Sequence, residues 1–401
     1  MDRRRAAIIW GLGLTQIIGY GSLYYSFPIL APQMARDFSW STEWVFGAFS
    51  ASLLLGGLAA PSIGRWMDRY GAGQMMSLGS VIAAIALVLC AFAPERITFV
   101  AGLVAVEVAS AFVLYNAAFA LLVQITPQNA QRSITHLTLI AGFASTLFWP
   151  ITSALLQHMS WREVYLVFAG INLLVCLPIH LWLSSIMKAD RRLAAASTRA
   201  NVVIGTIPAE DRPRAFLLMA TGFALEGFVL SAVLIHMVPL LTTVGLGASA
   251  VLVGTVFGPS QVFSRFTNMV FGKAVSPLFL AVISASLLVA GMAVLLASAP
   301  SFIGAVAFAI LFGLGAGLTS IVQGSLPLHL FGSDGYGALL GKISAARLLA
   351  SAVAPFVFAF LLGQAGTWSA LCAAIALAIG AGVAFAGISW RRRSLELVPG
   401  T

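Results

Sequence analysis

Apolar stretches of about twenty residues recur from one end of this chain to the other, separated by short polar turns, and that recurrence fixes the solvent in which it folds. A helix needs about 20 apolar residues, within a range of roughly 17 to 25, to cross the hydrocarbon of a bilayer. Inside lipid every backbone N–H and C=O must find its partner within the protein, so only helices and closed barrels cross. Here the stretches are too long for barrel strands. They fall at residues 6–34, 44–64, 72–93, 97–124, 134–157 and 162–186, and again at 215–243, 249–272, 277–298, 302–325, 337–363 and 367–390. Only 9% of the 401 residues are charged, against about 25% in soluble proteins, so a water-facing surface is excluded. The expected fold class is an all-α membrane protein with twelve transmembrane helices.

A net charge of +9 would point to nucleic acid in a soluble chain. In a membrane protein it marks the loops that stay beside anionic lipid on the cytoplasmic side. With both termini inside, the cytoplasmic segments hold Arg3, Arg4, Arg5, Arg65, Arg69, Arg132, Lys188, Arg191, Arg192, Arg199, Arg212, Arg214, Lys273, Arg391, Arg392 and Arg393. The opposite side holds only Arg36, Arg96 and Arg162. The expected setting is therefore the cell inner membrane, with both termini cytoplasmic. The first stretch, behind Arg3-Arg4-Arg5, lacks a small-x-small cleavage site and reads as a retained helix. Residues 394–401 read as a disordered tail.

The polar run at 187–214 divides the spans six and six, which gives an N-terminal bundle (1–186), a cytoplasmic linker (187–214) and a C-terminal bundle (215–401). At an offset of 201, Gly57 meets Gly258 and Gly71 meets Gly272; at 205, Pro150 meets Pro355. Such echoes suit two pseudo-symmetric halves around a midplane site.

Between the second and third spans stands Gly64-Arg65-Trp66-Met67-Asp68-Arg69-Tyr70-Gly71. It resembles the signature loop of the major facilitator superfamily, which implies the fold of two six-helix bundles and a conformational gate at Gly64, Arg65, Asp68, Arg69 and Gly71. Asp68 is placed either to cap the next helix or to pair with an arginine at a helix end; an ordinary basic turn is the plainer alternative. The opening run from Gly19-Tyr20-Gly21 to Phe27-Pro28, with Phe38-Ser39-Trp40-Ser41, resembles the monocarboxylate and oxalate–formate branch of that superfamily. The fifth span, Gly142 through Ser153, echoes its antiporter motif only in part, with Trp149 where a small residue would allow close packing.

Ionisable side chains inside spans are expensive, at about 2.5–3.5 kcal/mol each at a helix centre, and so mark function. Glu107, Glu226 and Arg347 fall near mid-span in the fourth, seventh and eleventh stretches, and Arg265 lies further along the eighth. Two guanidinium groups suit a carboxylate clamp, because each binds it through paired hydrogen bonds. The branch resemblance likewise implies cations on these two helices. The alternative is that each arginine neutralises Glu226 or Glu107 inside the bundle. The branch's acidic residue one turn before the eighth-span arginine is here Gln261, and no lysine precedes Lys188, so proton coupling falls to Glu107 and Glu226. His236 is either a proton relay or a packed, hydrogen-bonded histidine.

Gln16, Tyr20 and Tyr24 recur at every fourth position and share one helix face; with Tyr115 and Asn116 they form either a solute-contacting wall or a helix-packing surface. Cys90, Cys176 and Cys372 are too scattered for a metal site or a disulfide framework. No nucleotide-binding glycine loop is present, and no enzyme chemistry, cofactor or nucleic-acid partner is expected. The expectation is a monomeric secondary transporter that moves a small organic anion such as a monocarboxylate by alternating access, coupled to protons by symport or antiport. An exporter of toxic or amphipathic compounds and a non-transporting membrane sensor are the rival readings.

Overall fold

The computed structural model describes residues 3–196, 202–272 and 275–396. Lys273 and Arg199, counted above among the basic segments, lie outside them, as do residues 397–401 of the tail. The first half contains α1 (Arg3–Tyr20), a π-helical turn (Gly21–Tyr25), α2 (Phe27–Asp37), α3 (Thr42–Tyr70), α4 (Ala72–Ala91), α5 (Arg96–Val113) and α6 (Tyr115–Ile125). It continues through α7 (Ala130–Ala141), α8 (Ala144–Leu156), α9 (Trp161–Ile171), a second π-helical turn (Asn172–Cys176) and α10 (Leu177–Ala196). The second half contains α11 (Arg212–Leu241), α12 (Ser249–Phe271), α13 (Pro277–Ser298), α14 (Phe302–Phe331) and α15 (Tyr336–Glu396).

Among the described residues, 10 helices are long and apolar enough to cross a membrane. Their bounds follow the expected spans: Pro277–Ser298 coincides with 277–298, and Phe302–Phe331 extends 302–325 by about a turn and a half. The longest, Tyr336–Ile388, has 53 residues, about 80 Å at 1.5 Å per residue, far more than one crossing. It is interrupted at Gly366, where φ is 81°, between the two stretches expected at 337–363 and 367–390. The 23-residue α12 forms where the eighth span was expected but is not among the ten; Arg265, Gln261 and Asn268 dilute its apolar character. Twelve is therefore the sequence's count and ten the structure's count of apolar helices.

The chain forms two compact units. One is Met1–Ile204 with Gly332–Ala345; the other is Gly205–Phe331 with Ala346–Thr401. In the first, Phe38, Phe99 and Trp161 pack ring to ring, with Phe38 and Phe99 centroids 4.8 Å apart. The same end is tied by Arg96, which donates to the Phe38 and Ser39 carbonyls, and by Arg162, which donates to those of Ala91 and Ala93 and pairs with Asp37 at 3.5 Å. In the second, α13 and α14 run against each other, and Val229, Leu240, Leu288, Met292, Phe308, Phe312 and Phe358 fill the interior.

Residues 203–207 of the polar linker pair through their backbone. Its residues Val203 and Ile204 pair with Ser333 and Gly332: the Ser333 amide donates to the Val203 carbonyl at 3.0 Å, and Ile204 forms an antiparallel bridge with Gly332. Thr206 and Ile207 donate in the same way to His329 and Leu330. The β-branched run Val202-Val203-Ile204 favours this extended pairing, although it is too short to stand out among the surrounding charges.

Candidate functional site

In the first unit the motif residues surround the end of α3. Gly71 adopts φ 98°, a conformation that suits glycine, and its amide returns to the Met67 carbonyl at 2.9 Å. Gln124 bridges the turn: its Nε2 donates to the Met67 carbonyl and its Oε1 accepts from the Ala72 amide, at 3.0 and 2.9 Å. Asp68 is therefore not needed as a cap for α4, and it does not cap it. Its two oxygens accept from the Gly337 and Ala338 amides at 2.8 and 2.7 Å, at the start of α15. A carboxylate there satisfies two amides that have no partner within their own helix and meets the positive end of the helix dipole. Gly64 lies against the Gly337 backbone, where a Cβ would not fit. Arg65 is exposed and donates to Ser62, and Arg69 lies over the Tyr70 ring at 5.2 Å.

The tyrosines gather in the same unit. Tyr20 and Tyr115 have ring centroids 4.8 Å apart, Tyr115 stacks on Phe119 at 5.0 Å, and Tyr24 meets Phe49 at 5.8 Å. Tyr25, which the fourth-residue spacing skips, connects them, 6.1 Å from Tyr20 and 5.4 Å from Tyr24. The π-helical turn over Gly21–Tyr25 brings it in, because a wider turn changes which residues share a face.

Gln16 is used differently from its two tyrosine neighbours. It is fully buried, and its Nε2 donates to the Val113 carbonyl at 2.7 Å. The helix breaks at Leu114, between α5 and α6, and leaves that carbonyl without a helical partner. Asn116 accepts from Ser344 at 3.0 Å beside a small crevice lined by Ala60, Gly64 and Gly341. Glu107 is 7% exposed on α5, with its Cβ against Gly56, and its Oε1 has no hydrogen-bond partner among the described residues.

The second unit contains the remaining charges. Arg265, 5% exposed on α12, donates from Nη2 to Ser320 at 2.9 Å and from Nε to the Gly317 carbonyl at 3.4 Å. Glu226 on α11 is fully buried. Its Oε1 accepts from Ser284 at 2.8 Å, and Ser284 lies 2.8 Å from the Thr319 hydroxyl. Arg347, half-buried on α15, acts on Glu226 electrostatically. Gly227 gives it room, since a Cβ there would lie 2.6 Å from Arg347 Cγ. The structure thus brings Arg347 to Glu226 and seats Arg265 on α14. His236 bonds through Nδ1 to the Ala232 carbonyl of its own helix at 2.9 Å and lies 5.4 Å from the Phe358 ring, the arrangement of a packed histidine. Lys342 is exposed. Ser284, Thr319, Ser320 and Tyr25 escaped a search guided by charge and helical spacing; hydroxyls within apolar spans were the available signal.

A bundle of apolar, bilayer-length helices that buries carboxylates and guanidinium groups defines a multi-pass membrane transporter. The sequence profile of the Major Facilitator Superfamily matches residues 12–355, and the chain belongs to that family. It is 26% identical over 367 residues to human (Homo sapiens) monocarboxylate transporter 11, across 88% of this chain and 76% of that protein. Its fold is similar to the crystal structure of the human organic anion transporter MFSD10 (TETRAN), with a TM-score of 0.73 at 16% identity, covering 96% of this chain and 100% of that one. It is similar also to the proton:xylose symporter XylE bound to 6-bromo-6-deoxy-D-glucose, with a TM-score of 0.70 at 14% identity over 98% and 97% of the two chains.

Proposed function

We propose that this transporter carries a small organic anion of the monocarboxylate class across the inner membrane by alternating access, coupled to protons. The carrying observation is the pair of guanidinium groups set into one apolar unit. Arg265 is held by α14, and Arg347 is half-buried beside a fully buried carboxylate. A guanidinium stays charged in such surroundings and meets a carboxylate through two parallel bonds. A solute anion at Arg347 would compete with Glu226 for that charge, which links anion binding to the protonation of Glu226. The name of the human relative, a monocarboxylate transporter, supports the same solute class. The tyrosine cluster of the first unit suits contact with the organic part of a solute. In this reading both termini are cytoplasmic, the two six-span halves join through 187–214, and the working form is a monomer.

Purified protein in liposomes should accumulate small monocarboxylates under an imposed pH gradient, and the Arg347→Gln variant should lose at least tenfold in uptake. Full uptake by that variant would remove the clamp. Broad competition by neutral hydrophobic molecules, with no effect of arginine substitution, would point instead to an exporter of amphipathic compounds.

A further inference from the structure

The polar groups around Glu226 Oε1 form a connected set on three helices, while Glu226 Oε2 has no hydrogen-bond partner among the described residues. Ser284 of α13 donates to Glu226 Oε1 at 2.8 Å, lies 2.8 Å from Thr319 Oγ1 of α14, and is within 3.3 Å of the Gly315 carbonyl. Thr319 reaches the same carbonyl at 3.1 Å. Ser284 and Glu226 are fully buried and Thr319 is 5% exposed. The approach is close because α14 has glycine at 315: a Cβ there would lie 2.9 Å from the Ser284 carbonyl oxygen and from Leu288 Cδ2. Each hydroxyl carries one proton and two acceptor lone pairs, and it rotates freely.

We propose that Ser284 and Thr319 are positioning residues that let Glu226 take up and release a proton without moving, and that Glu226, rather than Glu107, is the coupling carboxylate. This deepens the proton-coupled reading above and rests on it. With Glu226 ionised, Ser284 donates to its Oε1 and Thr319 donates to Ser284. With a proton on Oε1, the carboxylic acid donates to Ser284 Oγ, Ser284 turns its own proton to Thr319 Oγ1, and Thr319 turns its proton to the Gly315 carbonyl. One proton is added, no covalent bond between heavy atoms changes, and each donor in the set has an acceptor in both states. A buried donor left without one would cost more than the net worth of the hydrogen bond, because its desolvation would go uncompensated.

The charged groups on the surrounding helices bear on this set in a simple way. No charged residue occurs in α13, and α14 has only His329, at its far end. Arg265 of α12 is seated on Gly317 and Ser320, His236 of α11 bonds within its own helix, and Arg347 of α15 is the charge that acts on Glu226. Each acid leaves one oxygen without a hydrogen bond among the described residues, Oε1 of Glu107 and Oε2 of Glu226. The two differ in that Glu226 Oε1 accepts from Ser284, whereas the helix facing Glu107 presents Gly56.

Infrared difference spectra of the full-length protein in liposomes, recorded across a pH titration, test the assignment. A carboxylic-acid C=O band should titrate in the wild type and in Glu107→Gln and vanish in Glu226→Gln. Ser284→Ala and Thr319→Val should each shift its midpoint by about tenfold in proton concentration, whereas Thr319→Ser, which keeps the hydroxyl, should titrate as the wild type does. A band that survives in Glu226→Gln, or a midpoint that ignores loss of both hydroxyls, overturns the proposal. Acetate and lactate uptake measured in the same vesicles separates the two ideas. If the band titrates as described but neither anion enters, the anion reading fails and the assignment of the protonation site stands.

Discussion

Glu107 in the first unit and Glu226 in the second fall at similar depths in their spans and are both buried, yet their surroundings differ. Glu226 has a hydroxyl pair, a shared carbonyl and an arginine; Glu107 has a glycine against its Cβ, and each acid leaves one oxygen without a hydrogen bond among the described residues. Burial alone therefore does not identify a working acid. A low-dielectric interior penalises both charges, and only a site that can answer either protonation state turns that penalty into a switch.

The largest effect should come from removing the arginine that acts on the buried acid of the second unit. Arg347→Leu should cost about 3–5 kcal/mol of stability while Glu226 remains ionised, because it strands a buried charge. Combining it with Glu226→Gln should restore most of the loss, and Glu107→Gln alone should be neutral or mildly stabilising. Thermal unfolding in detergent at several pH values measures all three, and the comparison breaks if Glu107→Gln costs as much as Arg347→Leu.

Asp68 sharpens the contrast from another direction, since this carboxylate uses both its oxygens on the amides of Gly337 and Ala338. An asparagine keeps one acceptor and loses the charge, so Asp68→Asn should lower stability by about 1–3 kcal/mol. It should slow transport of every solute alike and leave the infrared band of Glu226 unchanged.

Each buried acid also lies near a glycine that permits close helix packing, Gly56 on α3 and Gly315 on α14. An added methyl group at either position should cost about 1–3 kcal/mol through overpacking. Gly315→Ala should in addition change the pH dependence of uptake, by parting Ser284 from Thr319, whereas Gly56→Ala should change stability only. The smallest effect is expected at the start of α9 in the first unit. Ser160 caps α9 in a reciprocal pair with Glu163, and Ser160→Ala should cost about 1 kcal/mol with no change in solute affinity, as measured by melting and by uptake kinetics.

Most of the helices were legible because each needs only a local property: enough apolar residues in a row, ended by charge or by a glycine such as Gly71 or Gly366. The internal echo was weaker evidence of symmetry. Gly71 adopts φ 98° at its turn, whereas its counterpart Gly272 adopts −76°, so matching residues do not carry matching conformations. Candidate charges were legible as well, because ions in apolar spans are rare for a stated energetic reason. Their partners were not. Fourfold spacing placed Gln16 with the tyrosines, but a break at Leu114, on another helix, supplied the carbonyl that claims it.

The sequence by itself determined that this chain lives in a bilayer, roughly where its helices begin and end, and which few side chains enter that interior as ions. The tertiary structure decided which of those ions has company. Hydropathy is summed along a segment and can be read residue by residue. Hydrogen bonds from Ser284 to Glu226, or from the start of α15 to Asp68, join groups 58 and 269 positions apart, and only folding brings their atoms within 3 Å of each other.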